Sequence, residues 1–164
     1  MFMKKIYIMG PVGSGKTTFS KGLAKKLHIK RYELDKVAWN DDIHVKRSDD
    51  DVKKIFSEIL KHKSWIMEDV GRDKFLKGRE EADIIYYIRI SRLKSYYRVT
   101  KRWIRQRLGL ESYNYPPTIG QWFYFISTVH SYYAKEKVKL KNLEAFQNKV
   151  VFVNTKEIKR ILEQ

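Results

Sequence analysis

Cysteine is absent from the 164-residue chain, which excludes disulfides and thiolate zinc sites. The lack suits a reducing compartment, and a cytoplasmic protein is expected. Histidine is scarce: His28, His44, His62 and His130 stand far apart, without the spacing of a metal site. No apolar run approaches the roughly 18 residues that a membrane span needs. A signal peptide is not expected, because the apolar stretch at residues 6–9 is too short and glycine-rich sequence follows it. Repeats and low-complexity linkers are missing, as is a guanine-reading Asn-Lys-x-Asp motif. Acidic residues are outnumbered: 19 Asp+Glu face 35 Lys+Arg, for a formal net charge of +16. That excess implies anionic partners (nucleotides, nucleic acid or an acidic surface) without choosing among them.

What is present reads as α/β. Short apolar runs alternate with longer helical patterns, as in a parallel sheet. Strands are expected at residues 5–9, 31–34, 65–67, 84–90 and 150–153. A helix from about 16 to 27 carries Phe19, Leu23 and Leu27 four apart on one face. Ser48 followed by Asp49, Asp50 and Asp51 reads as a helix start, with acids at the positive end of the dipole. Its apolar stripe is Val52, Ile55, Phe56, Ile59 and Leu60. A last helix covers about 156–162. Between the fourth and fifth strands lie a basic helix (about 92–108), a loop (109–118) with Pro116 and Pro117, and an aromatic helix (about 119–146). This stretch is too long for a simple crossover. Residues 91–146 are therefore expected to form a helical lid over the carboxyl edge of the sheet, where ligands bind in open α/β folds. The whole chain, 1–164, is read as one domain.

The turn after the first strand, Gly10, Pro11, Val12, Gly13, Ser14, Gly15, Lys16 and Thr17, fits G-x-x-x-x-G-K-[ST] without a mismatch, and Thr18 follows it. Glycines let backbone N–H groups turn inward toward phosphates, and the next helix aims its N-terminus at them. Lys16 is placed to reach the β- and γ-phosphates, and the Thr17 hydroxyl to ligate Mg²⁺. Three acids sit where strands two and three end: Asp35, Glu68 and Asp69. A carboxylate there can position Mg²⁺ or accept a proton from an attacking hydroxyl. Which of the three does so is open, with Glu68 set beside Thr17 as a metal candidate. Arg72 is placed to clamp an anionic group of an acceptor. On the basic helix Arg98, Lys101, Arg102 and Arg105 share one face, suited to stabilising transferring phosphates. Leu93, Tyr97, Thr100, Ile104 and Leu108 are the expected packed face. The aromatics of the 91–146 region suit either stacking on bases or a core.

Taken together, Gly10–Thr18, the segment Tyr32-Glu33-Leu34-Asp35-Lys36-Val37-Ala38-Trp39, the run Ser64-Trp65-Ile66-Met67-Glu68, and Ala82-Asp83-Ile84-Ile85 before an arginine-rich helix resemble the adenylate-kinase-like P-loop proteins labelled DNA topology modulation proteins. The resemblance implies a P-loop NTPase fold with a five-stranded parallel sheet in the nucleoside monophosphate kinase order 2-3-1-4-5, and it implies ATP and Mg²⁺. By likeness, Asp35 would face the acceptor, Glu68 and Arg72 would stand at an acid and an acceptor-phosphate arginine, and Arg98, Arg102 and Arg105 would be lid arginines. The chain departs from the family in having Glu68-Asp69 where Asp-Gly is usual, and in its aromatic lid.

The leading expectation is a kinase that passes the γ-phosphoryl group of ATP to a small acceptor, a nucleoside or nucleotide first. Lys16, Asp35, Arg72, Arg98, Arg102 and Arg105 would be its catalytic residues. The alternative is a nucleic-acid-binding regulatory ATPase (DNA topology modulation) without a small-molecule acceptor, motivated by the charge of +16 and the aromatic-rich lid. A P-loop switch protein ranks third. Adenine contacts are expected near Asn154 and Thr155.

Overall fold

The computed structural model describes residues 4–40, 45–113 and 116–163. In chain order the elements are β1 (Lys5–Met9), α1 (Lys16–Leu27), β2 (Arg31–Glu33), α2 (Leu34–Ala38), β3 (Trp39–Asn40), β4 (Val45–Lys46), α3 (Asp49–Leu60), β5 (Trp65–Asp69), α4 (Leu76–Glu81), β6 (Ile84–Ile88), α5 (Arg92–Arg107), α6 (Ile119–Ala134), α7 (Glu136–Glu144), β7 (Val150–Val153) and α8 (Thr155–Glu163). A 3₁₀ turn, Asp73–Phe75, precedes α4. The main sheet is parallel, in the order β2-β5-β1-β6-β7. Counted over the five expected strands this is 2-3-1-4-5. β3 and β4 form a separate antiparallel hairpin.

The pleat explains the core. Alternate residues of a strand face opposite sides. Tyr7, Met9, Trp65, Met67, Ile85 and Tyr87 pack with Leu34, Phe56, Phe75 and Leu143 on one face. Ile6, Ile8, Ile66 and Ile88 pack with Phe19, Leu23 and Ile158 on the other. With helices on both faces, the central strands β1 and β5 are almost entirely buried, which fits their apolar residues 6–9 and 65–67. The start of α3 is as the sequence suggests: Ser48 Oγ accepts from Asp51 N at 3.1 Å. No helix among the described residues is long and apolar enough to cross a membrane.

The structure corrects several boundaries. The third expected strand runs on to Asp69, so Glu68 and Asp69 are strand residues rather than residues beyond its end. The second stops at Glu33, and Asp35 lies in the first turn of α2. The fourth ends at Ile88. The expected helix 119–146 is two helices separated at Lys135. The packed face of α5 is also different. Leu93, Tyr97, Ile104 and Leu108 are exposed, while Ser95 and Val99 are buried. The reason is a close approach: a Cβ on Gly13 would lie 3.3 Å from both Ser95 O and Val99 Cγ2. Side-chain size, not hydropathy, selects the face that meets the loop.

Candidate active site

The site begins at the turn between β1 and α1. Gly13 and Gly15 have φ of 78° and 98°, a left-handed conformation that side chains disfavour. Gly15 is the N-cap of α1 and supplies no side-chain cap, and the first turn holds no acid. The leading N–H groups of α1 therefore keep their positive partial charge without an internal anion. Ser14 Oγ is buried without a hydrogen-bond partner. A glycine-bearing turn at a helix N-terminus with an orphaned hydroxyl fits a bound phosphate chain. Lys16 Nζ donates to Gly10 O and Pro11 O, both at 2.8 Å. Burial pulls its pKa down to about 8, against the attraction of Glu68, Asp35 and Asp69.

The pleat of β5 sends the two neighbouring acids to opposite faces. Glu68 points toward α1. Its Oε1 accepts from Thr17 Oγ1 at 3.1 Å and from Arg31 Nη1 at 2.9 Å, and its Oε2 accepts from Ser20 Oγ at 2.8 Å. Burial raises its pKa above the ordinary carboxylate value, opposed by the Ser20 hydrogen bond and the charge of Arg31. Thr17 and Glu68 together offer hard oxygen donors next to the phosphate cradle, the chemistry that suits Mg²⁺ completed by phosphate and water. Among the described residues there is no cluster of three or more His, Cys, Asp or Glu to hold a metal unaided.

Asp69 points the other way, its side chain wholly buried. Its Oδ2 accepts from Gly71 N at 2.7 Å and Arg72 N at 2.5 Å, and its Oδ1 from Arg72 Nε at 2.6 Å. Arg72 Nη2 also lies 2.9 Å from Asp35 Oδ1. Burial works against the charge of Arg72, but Asp69 and then Asp35 outweigh it and raise the pKa. Asp35, Asp69 and Arg72 thus form one chain of charge, with Asp35 at its exposed end.

Arg72 lines a pocket of about 530 Å³ shared with Ala38, Trp39, Lys46, Asp49, Gly71, Asp73, Lys74, Lys135 and Lys139. It is an open concavity at the surface rather than an enclosed cavity. Lys139 Nζ donates to Gly71 O at 2.7 Å and Val70 O at 3.2 Å, tying α7 to the loop after β5. Burial lowers its pKa, with Asp69 opposing. Buried Arg79 donates to Arg72 O at 3.1 Å and steadies the same loop.

The arginines of α5 separate. Arg98 Nη1 donates to Gly13 O and Ser14 O, each at 3.2 Å, and Nη2 to Thr155 Oγ1 at 3.2 Å. Arg102 is half-buried with its guanidinium 5.1 Å from the Phe125 ring, and burial lowers its pKa. Arg105 turns away to Glu111, 3.3 Å from its Nε. Thr18, the last residue of the motif, is exposed on the first turn of α1. Asn154 Oδ1 accepts from Lys156 N and Glu157 N, so that oxygen caps α8. Tyr132 Oη donates to Tyr87 Oη at 3.1 Å and Tyr133 Oη to Ile90 O at 2.7 Å, which fasten α6 to the sheet.

Ser20, Arg31, Lys46, Arg79, Lys135 and Lys139 were not singled out by the sequence. Only Arg31 carried a local signal, alternating with Glu33 on a strand that ends at the site.

The profile of the family described as RNA helicase matches residues 6–99, more than half of the chain, and the chain belongs to that family. No curated protein sequence matches it. Among solved structures it is similar to a gluconokinase from Sinorhizobium meliloti 1021, with a TM-score of 0.60 and 18% identity over 99% of this chain and 89% of that one. At that identity the likeness is one of fold: a five-stranded parallel α/β sheet with a P-loop after its first strand.

Proposed function

We propose that this protein is an ATP-dependent phosphotransferase that passes the γ-phosphoryl group to a small acceptor, with nucleosides and nucleotides the first class to test. One observation carries the reading. The end of β5 serves two sites at once, Glu68 bonding Thr17 on the P-loop side and Asp69 holding Arg72 in the wall of a separate pocket. A phosphate cradle and a separate concavity served by one strand end suit transfer between two substrates.

Residues 10–18 hold the phosphates of ATP, with Lys16 leaving its two carbonyls for them. Thr17 and Glu68 hold Mg²⁺, which when bound neutralises charge on the phosphate oxygens. Asp35 orients the acceptor and takes the proton of the oxygen that forms the new bond. Arg72, Arg98, Arg102 and Arg105 spread positive charge around the transferring group, with Arg98 nearest and Arg105 reaching in only if its pair with Glu111 opens. Positioning and electrostatics are the main catalytic needs of phosphoryl transfer, and these groups are sufficient in kind. Residues 91–146 serve as a lid within a single domain, and the cysteine-free chain suits a cytoplasmic setting. The adenylate-kinase-like character of the sequence resemblance accords with this reading, and the DNA topology modulation label of those proteins accords with the second reading below.

The test is ADP formation from Mg-ATP against a panel of nucleosides, nucleotides and small hydroxyl compounds, with Lys16→Ala as control. Acceptor-dependent turnover that the variant loses is the expected result. ATP binding without acceleration by any acceptor would remove the kinase reading for the classes tried.

A second reading rests on the family description and on α5, whose charged residues are all basic. In it the chain is a regulatory ATPase acting on nucleic acid. Binding of single-stranded RNA that falls steeply with salt, together with ATP turnover stimulated by RNA, would favour it.

A further inference from the structure

We infer that α5 is an interfacial anchor: its outward stripe, Leu93, Tyr97, Ile104 and Leu108, seats the protein on an anionic lipid surface, which it lies on and does not cross. The inference goes beyond the phosphotransferase reading and does not depend on it.

At about 100° per residue, spacings of four, seven and four bring these side chains within an arc of about 60°. All four are exposed, Leu93 at 81% and Leu108 at 67%. They belong to a local excess: nine of the fourteen large apolar side chains exposed among the described residues lie between 93 and 124. Scattered exposure needs no explanation, but a gathered stripe does. Closure over a nucleotide does not bury it, because the opposite face of α5 is the one that meets the P-loop. There Ser95 and Val99 lie against Gly13, and Arg98 bonds Gly13 O and Ser14 O. Nor does α6 cover it. That helix takes one flank, where Trp122 Nε1 donates to Thr100 Oγ1 at 3.0 Å. Phe123 packs edge-on against Trp122, with ring centroids 4.9 Å apart, and is itself exposed, so it adds a ring at the seam of the two helices.

Charge selects the occupant. α5 carries seven basic residues and no acid. Lys94, Lys101 and Arg105 border one side of the stripe and Arg107 the other. Arg105 pairs with Glu111, while Lys94 and Lys101 have no ion pair among the described residues. Lys101 Nζ lies 5.8 Å from the Tyr97 ring centroid, which lays its apolar stem beside the stripe with the ammonium outward. A second copy of the chain would bring like charges together. The core of a protein partner's interface is depleted of charge, yet here a cation adjoins each apolar residue, in sequence or one turn away. Nucleic acid would use the cations but leave Leu93, Ile104 and Leu108 idle, since aliphatic chains offer bases no ring to stack on. A bilayer interface uses both. The apolar side chains enter the acyl boundary while the lysines and arginines reach anionic headgroups.

The experiment is co-sedimentation of the full chain with vesicles of phosphatidylcholine, or of a two-to-one mixture of phosphatidylcholine and phosphatidylserine. Binding to the mixed vesicles should be about tenfold tighter or better. A cationic protein adsorbs somewhat to any anionic surface, so the decisive variant removes no charge. Leu93→Gln combined with Leu108→Gln, both at exposed positions, should weaken that binding about tenfold and leave thermal unfolding unchanged. Lys94→Glu combined with Lys101→Glu should weaken it by at least as much. Orientation is read separately. The chain has no cysteine, so Leu93→Cys and Lys63→Cys each accept a single environment-sensitive fluorophore. Lys63 is exposed just before β5, at the end of the sheet opposite the P-loop. The dye at position 93 should shift to the blue on mixed vesicles, and the dye at 63 should not. No binding to mixed vesicles, binding untouched by the leucine substitutions, or the same dye response at both positions would overturn the inference. Single-stranded RNA that binds the free protein and loses about tenfold on the leucine substitutions would overturn it too, by giving the face to nucleic acid.

Discussion

If ATP phosphates take Lys16 from its present carbonyl partners, binding must carry a proton with it. In the free protein the Lys16 pKa is about 8, against an ordinary value of 10.5, because burial penalises the ammonium. Contact with polyphosphate restores the ordinary value or exceeds it. The difference corresponds to about 3 kcal/mol between the two protonation states. Proton uptake per ATP should then be about 0.1 at pH 7, about 0.5 at pH 8 and about 0.9 at pH 9. Above pH 8 the affinity should fall about tenfold per unit. Nucleotide phosphates, with a last pKa near 6, add little in this range. Titration calorimetry in two buffers of different ionisation enthalpy reads the uptake directly. Lys16→Arg keeps the charge but does not titrate, and should bind without uptake. For the free protein the sign is opposite to that of a paired lysine. Its pKa is lowered on folding, so below pH 8 the fold bears the full cost of the buried charge. The unfolded chain binds more protons between pH 8 and 10.5, and this group makes stability rise across that window. Uptake that stays flat and near zero from pH 7 to 9 would refute the argument, since Lys16 would then be fully charged before ATP arrives.

Three other expectations concern single side chains. Gly13→Ala should cost about 1–2 kcal/mol in urea denaturation, because its φ is +78° and the new Cβ meets Ser95 O and Val99 Cγ2 at 3.3 Å; an unchanged midpoint would contradict this. Glu68→Gln keeps the shape but leaves Arg31 with Glu33 alone, for a stability loss of about 1–3 kcal/mol. The Mg²⁺ concentration for half-maximal turnover should rise about tenfold in that variant, and a stability loss with no Mg²⁺ effect would make Glu68 purely structural. Tyr132→Phe should cost about 1 kcal/mol by removing the bond to Tyr87 Oη, checked by thermal unfolding, while a gain in stability would show that hydroxyl to be strained.

Much of this architecture was legible beforehand. The P-loop glycines, the apolar strand before them and the Ser48 cap announce themselves through local chemistry, and the expected strand order holds. The acids at the end of β5 were visible as candidates, yet their separate duties depend on the pleat. Glu68 and Asp69 look equivalent in sequence, but parity sends one to Thr17 and the other to Arg72. The exposed Leu93, Tyr97 and Ile104 misled because hydropathy assumes that a helix buries its apolar side. Here Ser95 is buried, the small residue that a neighbouring glycine loop admits. Lys135 and Lys139 could not be found at all. They lie more than 60 residues from Arg72, and only the placement of α7 brings them to the same pocket.

The two outermost strands of the main sheet, β2 and β7, have three and four residues. Edges this short expose few free amides for a strand of another molecule to add to. Val151 and Phe152 on β7 are nevertheless partly exposed, and the guanidinium of Arg89 lies 3.8 Å from the Phe152 ring centroid. That cation lies over one apolar ring of this edge, and the overall charge of +16 makes approaching copies repel. The protection has one weakness. A polyanion or concentrated salt cancels the long-range repulsion and leaves brevity as the remaining safeguard, so storage at low ionic strength without polyphosphate additives should keep this protein monodisperse.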